Sequence, residues 1–355
     1  MRLLKESQRS KANSLFVPRN IAAPRALVPG QIPDEKIFQA IAPGFKQYPS
    51  DRFEFINASA ESLNVETKTV TITGPTGQQA LSYDFLILAT GSNTKEDAPF
   101  KGNGTTEATK DALHVFQNKV KQAQSIYIAG AGATGVETAG EIAFEHGKQK
   151  KITLVRESSQ HSLLFIANPN TQIASGAHVL EGTPASVTKV ATKQLSNLNV
   201  TIKASTKVMG SAKMPDGRTE LTLSGGEKVI ADLYIPTMGV IPNSAYVPGT
   251  FVNNSGFVKV DEFLKVKGAT DVWALGDVSQ ILGIYLATYM HFEVEILESV
   301  WHTLKKFPTI PKCRILTPRS GIGYTTPSVR EYGEAVYPRC QEYCSNTEGG
   351  PAIEV

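Results

Sequence analysis

Gly130, Gly132 and Gly135 stand at the spacing GxGxxG, between the apolar run Ile126-Tyr127-Ile128-Ala129 and the small-residue segment Ala139-Gly140-Glu141-Ile142-Ala143. That spacing suits one task, which is holding a pyrophosphate by backbone N–H groups. The first glycine makes a tight turn, the second lets the backbone approach the phosphates, and the third lets a helix lie close on a strand. A helix that starts there adds unpaired N–H groups and the positive end of its dipole. A second apolar run, Ile152-Thr153-Leu154-Val155, completes a βαβ unit of the length a dinucleotide site needs. Arg156 and Glu157 follow it. An acid there binds a ribose hydroxyl and favours NADH, whereas an arginine takes the 2′-phosphate of NADPH. The adjacent pair leaves both open.

Two carboxylates accompany this loop. Glu137 falls in the first turn of the predicted helix, where a negative charge stabilises the N-terminus through the dipole. Asp277 follows the apolar run Val272-Trp273-Ala274-Leu275 and Gly276. The C-terminal end of a buried strand is where open α/β sheets bind ligands, and capping a following helix is the alternative role. No competing chemistry stands out. The six histidines are scattered, with His114, His146 and His302 on predicted helices. The three cysteines, Cys313, Cys340 and Cys344, come late and form no CxxC, which opposes a disulfide reductase and a secreted disulfide framework. Cys340 and Cys344 read as free tail thiols in preference to metal ligands.

These groups need strands and helices to position them, and the pattern supplies both. Strands are predicted at Phe53–Ala60, Thr67–Thr73 and within Tyr83–Ser92, with a hairpin turn at Gly74–Gly77. Helices are predicted at Lys110–Lys121, Ala185–Leu198 and Glu293–Lys305, and a short one before Pro29-Gly30. Further strands fall at Val200–Ile202, Glu220–Leu223, Val229–Ala231, Leu233–Pro236, Val258–Asp261 and Val272–Leu275. Residues 1–20 carry no strand signal, and Lys148–Lys151 reads as a solvated turn. Ser159–Thr183 is irregular and unassigned, and the chain after Thr317 is turn-rich and loose.

A chain of 355 residues can bury a sizeable core in about two domains. Its 41% hydrophobic and 19% charged content is that of an ordinary globular protein. A net charge of +3, with no basic stripe interleaved with aromatics, opposes a nucleic-acid partner. No apolar run reaches the roughly 20 residues that span a bilayer. Arg2, Lys5, Arg9, Lys11 and Arg19 against one acid, Glu6, suit a mitochondrial presequence, the weaker of two readings of that segment.

Four segments in order, YDFLILATGS, GAGATGVETAGEI, TMGVIPN and DVWALGDVS, resemble the two-dinucleotide-binding-domain flavoproteins. NIAAPRALVPGQIPDEKIF and GFKQYPSDRFEFINASAESL are similar to the apoptosis-inducing-factor-like group, which includes ferroptosis suppressor protein and fungal relatives. The resemblance spans about residues 20 to 323. It implies an α/β fold with a Rossmann-like FAD domain in residues 1–118 and 244–310. An NAD(P)-binding domain is inserted at 119–243, and a divergent segment follows at 311–355. It further implies that Arg25 contacts FAD and that the backbone of Ala60 meets the adenine. Ala89, Thr90 and Gly91 would pack beside the flavin nucleotide, and Asp277, presented by Gly276, would accept a hydrogen bond from the ribityl chain. Gly130, Gly132, Gly135 and Gly239 would take NADH or NADPH, with Glu137 near the meeting of nicotinamide and flavin.

The family opens with a strand, a first GxGxxG and a helix, whereas here no glycine precedes Gly30. The FAD domain is therefore expected to lack its N-terminal βαβ unit. A shortened gene model is the preferred account, and a descendant that no longer holds FAD the second. Residues 1–10 read as a remnant of that first helix. Arg319–Gly323 resembles a family segment, after which the expected C-terminal helix is not matched. The implied activity passes hydride from NAD(P)H through FAD to a small acceptor, a quinone by resemblance. The alternative is a non-catalytic dinucleotide-binding protein, and the mild charge opposes a DNA-binding death-effector role. The expected setting is cytoplasmic with peripheral membrane contact allowed.

Overall fold

The computed structural model describes residues 16–18, 22–40, 43, 46, 53–94, 98–102, 104–156, 179–180, 183–280 and 313–317. All of them belong to one compact unit, Met1–Gly323. In chain order, β1 (Phe16–Pro18) pairs antiparallel with β2 (Phe38–Ala40), and between them lie the short helices α1 (Ala23–Ala26) and α2 (Asp34–Ile37). Pro24 sits in the first turn of α1, where a missing N–H costs nothing. β1 corrects the expectation that residues 1–20 hold no strand. Three residues carry no periodicity of their own, and the pairing with β2 is what makes them a strand.

The expected strand at Phe53–Ala60 is two, β3 (Phe53–Asn57) and β4 (Ser59–Asn64), parted at the fully buried Ala58. β4, β5 (Thr69–Gly74) and β6 (Gly77–Ser82) form an antiparallel meander whose tight turn pairs Gly74 with Gly77. β5 alternates, burying Val70 and Ile72. β7 (Leu86–Leu88) and β8 (Ser92–Thr94) follow. β8 begins at the last residue of the run Tyr83–Ser92 and extends past it, where no strand was predicted.

α3 (Thr106–Gln122) starts at Thr105, whose hydroxyl accepts the Ala108 N–H at 3.1 Å. Then come β9 (Ser125–Ala129), α4 (Ala133–His146), β10 (Lys151–Val155), α5 (Ala185–Asn197) and β11 (Val200–Lys203). β12 (Val208–Lys213), β13 (Thr219–Leu223) and β14 (Lys228–Ala231) make a separate antiparallel sheet. β12 is exposed at every residue after the first and carries no apolar alternation, so only its pairing with β13 reveals it. β15 (Leu233–Pro236) then returns to the parallel sheet, whose order is β11-β10-β9-β15. Ile126, Ile128, Ile152, Leu154 and Ile235 are buried there, as the apolar runs of a sheet covered on both faces require. The chain leaves β9 in one direction and comes back to its other side as β15. That reversal opens the crevice in which such sheets bind ligands.

β16 (Val240–Pro242) pairs antiparallel with β8, β17 (Val272–Ala274) pairs parallel with β7, and β18 (Cys313–Thr317) pairs parallel with β3. The predicted strand at Val258–Asp261 forms only isolated bridges, another correction. Asp261 Oδ1 accepts the N–H groups of Phe263 and Lys265, both at 2.9 Å, and this side-chain turn bends the chain away from a ladder. One core surrounds the parallel sheet and takes in Leu27, Val28 and Phe38 from the N-terminal stretch. A second lies around Ile72, Leu88, Val258, Val272 and Val278. The predicted helix at Glu293–Lys305, the remnant at 1–10 and the segment Arg319–Gly323 lie outside the described residues.

The basic turn before β10 is not fully solvated, which corrects the reading of Lys148–Lys151. Lys150 is 8% exposed, and its ammonium donates to the carbonyls of Lys121 at 2.9 Å and Ala123 at 2.6 Å. A cation thus closes the C-terminus of α3, where carbonyls lack helical partners and the dipole is negative. Burial pushes its pKa down, and Asp232 opposes the shift.

Asp232, between β14 and β15, receives the N–H groups of Gln124 at 2.9 Å and Ser125 at 2.8 Å. These backbone donors, Ser125 foremost, hold its carboxyl below its ordinary range. A depressed folded pKa contributes stability that is present above the unfolded value of about 3.9 and is lost as pH falls through the folded value. Asp232→Asn is expected to lower the melting temperature at neutral pH by a margin that narrows as the solution is acidified. Melts across the acid range check it, and a margin independent of pH would refute it.

Candidate functional site

The loop after β9 is shaped by atoms from a distant segment. Gly130 has φ +107°, a conformation that L side chains rarely adopt, and its N–H bonds the Val155 carbonyl at 3.0 Å. A Cβ on it would stand 2.5 Å from Met238 Cγ and 2.8 Å from Thr237 Oγ1. A Cβ on Gly135 would overlap the Gly130 carbonyl oxygen and stand 2.7 Å from Thr237 Oγ1. Gly132 differs: it is exposed, and among the described residues nothing lies within 4 Å of where its Cβ would be. Packing therefore requires the outer two glycines, while the middle one faces open space. α4 begins at the next residue with no side-chain cap and no acid in its first turn, which corrects the placement of Glu137: the helix starts at Ala133, so Glu137 falls in its second turn. An open approach to uncapped helical N–H groups, at the crevice beside β15, is a cradle that fits a pyrophosphate.

Thr237 follows β15 and closes this loop. Its N–H donates to Ala129 O at 2.8 Å, and its hydroxyl lies 2.8 Å from Ala129 O and 3.0 Å from Gly130 O. Gly239, with φ +73°, is exposed in the turn toward β16. Arg156 follows β10 with only 7% exposure, its N–H bonded to Lys203 O at 3.0 Å. Glu157 lies outside the described residues.

Glu137 and Glu141 stand one turn apart on α4. Arg25, from α1, donates to Glu141 Oε2 at 2.7 Å and to Gln31 Oε1 at 3.0 Å. Desolvation first, and the Glu141 carboxylate second, push the Glu137 carboxyl above its ordinary range. The residue as a whole stays exposed, so water screens that effect. The fold thus brings Arg25 against the helix that carries the glycine loop. Sequence spacing gives no sign of this, because 116 positions separate Arg25 from Glu141.

The remaining expected site residues gather about the β8–β16 pair and the end of β17. Thr90 Oγ1 donates to Asn243 O at 2.7 Å, and Asn243 Nδ2 donates to Thr90 O at 2.8 Å. Asn243 N–H reaches Gly91 O at 2.9 Å, so the Ala89-Thr90-Gly91 turn is latched reciprocally. Tyr246 lies 3.2 Å from Thr90 Oγ1, and burial pushes its phenol up to about 12. Gly276 (φ +69°) opens a single 3₁₀ turn that presents Asp277. Asp277 Oδ2 accepts Lys101 Nζ at 2.6 Å and Ser92 Oγ at 2.9 Å. Both donors engage one oxygen of the carboxylate, a charge-assisted hold that fixes the side chain at the end of the turn. Ala60 sits in β4 opposite Ile72, next to a register shift. Sequence reasoning missed Ser92, Lys101, Glu141, Thr237 and Asn243. Thr237 and Asn243 lie inside TMGVIPN, where the polar residues flanking Gly239 were the available signal. Among the described residues no group of His, Cys, Asp and Glu could hold a metal.

A family model described as pyridine nucleotide-disulphide oxidoreductase matches residues 15–296. Oxidoreductase ptaL of Pestalotiopsis fici is 50% identical over 260 residues, covering 73% of this chain and 65% of that protein. Apoptosis-inducing factor homolog B of Dictyostelium discoideum is 31% identical over 210 residues, covering 56% of this chain and 52% of that protein. The chain thus spans just under two thirds of the first relative. Among solved structures, reduced Bacillus anthracis CoADR-RHD superposes with TM-score 0.57 at 17% identity, covering 83% of this chain and 51% of that one. That likeness bears out the α/β fold, and the two relatives bear out the apoptosis-inducing-factor-like resemblance.

Proposed function

The chain belongs to the pyridine nucleotide-disulphide oxidoreductase family, and on that premise we propose that it is an FAD-dependent oxidoreductase taking hydride from NADH or NADPH. The electrons go on to a small acceptor of quinone type. FAD, when bound, supplies the electron-transfer chemistry, and the protein supplies binding, orientation and electrostatics. The observation that carries the reading is the open face of Gly132 at the uncapped N-terminus of α4. There the backbone would bind the nucleotide pyrophosphate, and Arg156 or Glu157 would decide between NADPH and NADH at the 2′ position. Asp277, held by Lys101 and Ser92, would orient a ribityl hydroxyl, and the latched Thr90 turn would support the flavin nucleotide. Arg25 has five N–H donors, enough to keep Glu141 and also meet a phosphate. Glu137, one turn from Glu141, would hold a proton more readily than an ordinary carboxyl beside that site. Residues 1–118 and 244–310 then serve FAD, and 119–243 serve NAD(P)H. Contact with a membrane would be peripheral, since among the described residues no helix is long and apolar enough to cross one.

A second reading, a dinucleotide-binding protein without flavin, draws on the ion pairs that already engage Arg25 and Asp277. The visible spectrum of the purified, desalted chain separates the two. Oxidised-flavin absorbance that is released on denaturation, and bleached anaerobically by NADH or NADPH, is the expected result. A folded protein that stays colourless after incubation with FAD would leave only the second reading.

A further inference from the structure

We propose that the Thr237 hydroxyl is the positioning group of the glycine loop, orienting the Gly130 peptide and through it the first N–H groups of α4. The proposal rests on the reading that a dinucleotide pyrophosphate binds at that loop. Thr237 Oγ1 lies 2.8 Å from Ala129 O, the last carbonyl of β9, and 3.0 Å from Gly130 O, the first of the turn. One hydroxyl proton serves two carbonyls in a three-centre arrangement. The ladder bond from Thr237 N–H already engages Ala129 O, so register does not depend on the hydroxyl. What the hydroxyl adds is a hold on the Gly130 peptide.

That peptide matters because Gly135 packs on it. A Cβ at 135 would overlap the Gly130 oxygen, so the start of α4 rests directly on the carbonyl that Thr237 fixes. Both outer glycines also border the hydroxyl, at 2.8 and 2.7 Å from their would-be Cβ positions. One oxygen from a residue 107 positions along the chain thus sits between the first and third glycines of the motif. Rotation of the Gly130 carbonyl would let the turn and the helix start move together. The N–H groups aimed at the open side of Gly132 would then lose their common direction. Thr237 acts through the loop and touches no ligand itself.

The test uses the whole chain, wild type and with Thr237→Ser, Thr237→Val and Thr237→Ala, titrated calorimetrically with NADH, NADPH and ADP-ribose. ADP-ribose carries the pyrophosphate without nicotinamide, so it reports the loop alone. Val keeps the branched shape and loses the proton, while Ser keeps the proton and loses the methyl. The expected result is Ser within about twofold of wild type, and Val and Ala weaker by about tenfold for all three ligands, ~1.4 kcal/mol. Thermal melts of the four proteins accompany the titrations. Val and Ala binding like wild type, or Ser as weak as Val, would overturn the proposal. Failure of Val and Ala to fold, with Ser intact, would make Thr237 a folding residue and overturn it too. A wild-type chain that binds none of the three ligands would remove the functional reading and this proposal with it.

Discussion

Gly135→Ala is expected to weaken NADH and NADPH binding by more than tenfold and to lower the melting temperature, whereas Gly132→Ala should weaken binding alone. The new methyl at 135 would overlap the Gly130 carbonyl oxygen, a backbone atom that Thr237 holds in place, and would crowd Thr237 Oγ1 at 2.7 Å. Relief requires α4 to lift from β9, and overpacking of this kind costs about 1–3 kcal/mol. A displaced helix also misaims the N–H groups of the cradle. At 132 nothing lies within 4 Å of a Cβ, so Ala there should leave the melt within about 0.5 kcal/mol of wild type. Its methyl would instead occupy the side from which a phosphate approaches. Melts and nucleotide titrations on the same proteins check the contrast. Equal destabilisation by the two alanines would sink the division between packing glycines and a binding glycine.

Lys150→Met is expected to destabilise the protein by roughly 2–3 kcal/mol without changing nucleotide affinity. It strips the Lys121 and Ala123 carbonyls of their ammonium donor at the end of α3. An abandoned buried polar group costs about 1–3 kcal/mol, and the charge-assisted bonds lost here are the stronger kind. Relief of the buried cation's desolvation offsets part of this, which keeps the expected loss below the sum over two carbonyls. Lys151→Met, at an exposed neighbour, should change stability by no more than about 0.5 kcal/mol. Denaturant titration of the two variants decides. Equal, small effects would mean that water can cap α3 as well as Lys150 does.

The elements legible in the sequence were those that carry their own signal. β9, α4 and β10 announce themselves by an apolar run, a glycine spacing and a second apolar run, because a doubly covered strand and a phosphate turn each leave a local pattern. β5 showed its alternation, and Gly74–Gly77 its turn. β1, β8, β12 and β18 left no such trace. β1 and β8 are three residues long, β12 is exposed without alternation, and each of the four becomes a strand through its pairing partner. The stretch Val258–Asp261 erred the other way, since its alternation was overridden by a side-chain turn at Asp261.

The candidate site divides along the same line. Residue type and spacing alone determined that Gly130, Gly132 and Gly135 turn the chain from a strand into a helix and that Asp277 follows a buried strand. Only the tertiary structure decided that Thr237 sits between two of those glycines, that Lys101 and Ser92 hold Asp277, and that Arg25 leans on α4. The physical reason is range. A turn is specified by the dihedral freedom of its own residues, whereas a hydrogen bond between groups a hundred positions apart exists only once the sheet order has set them side by side.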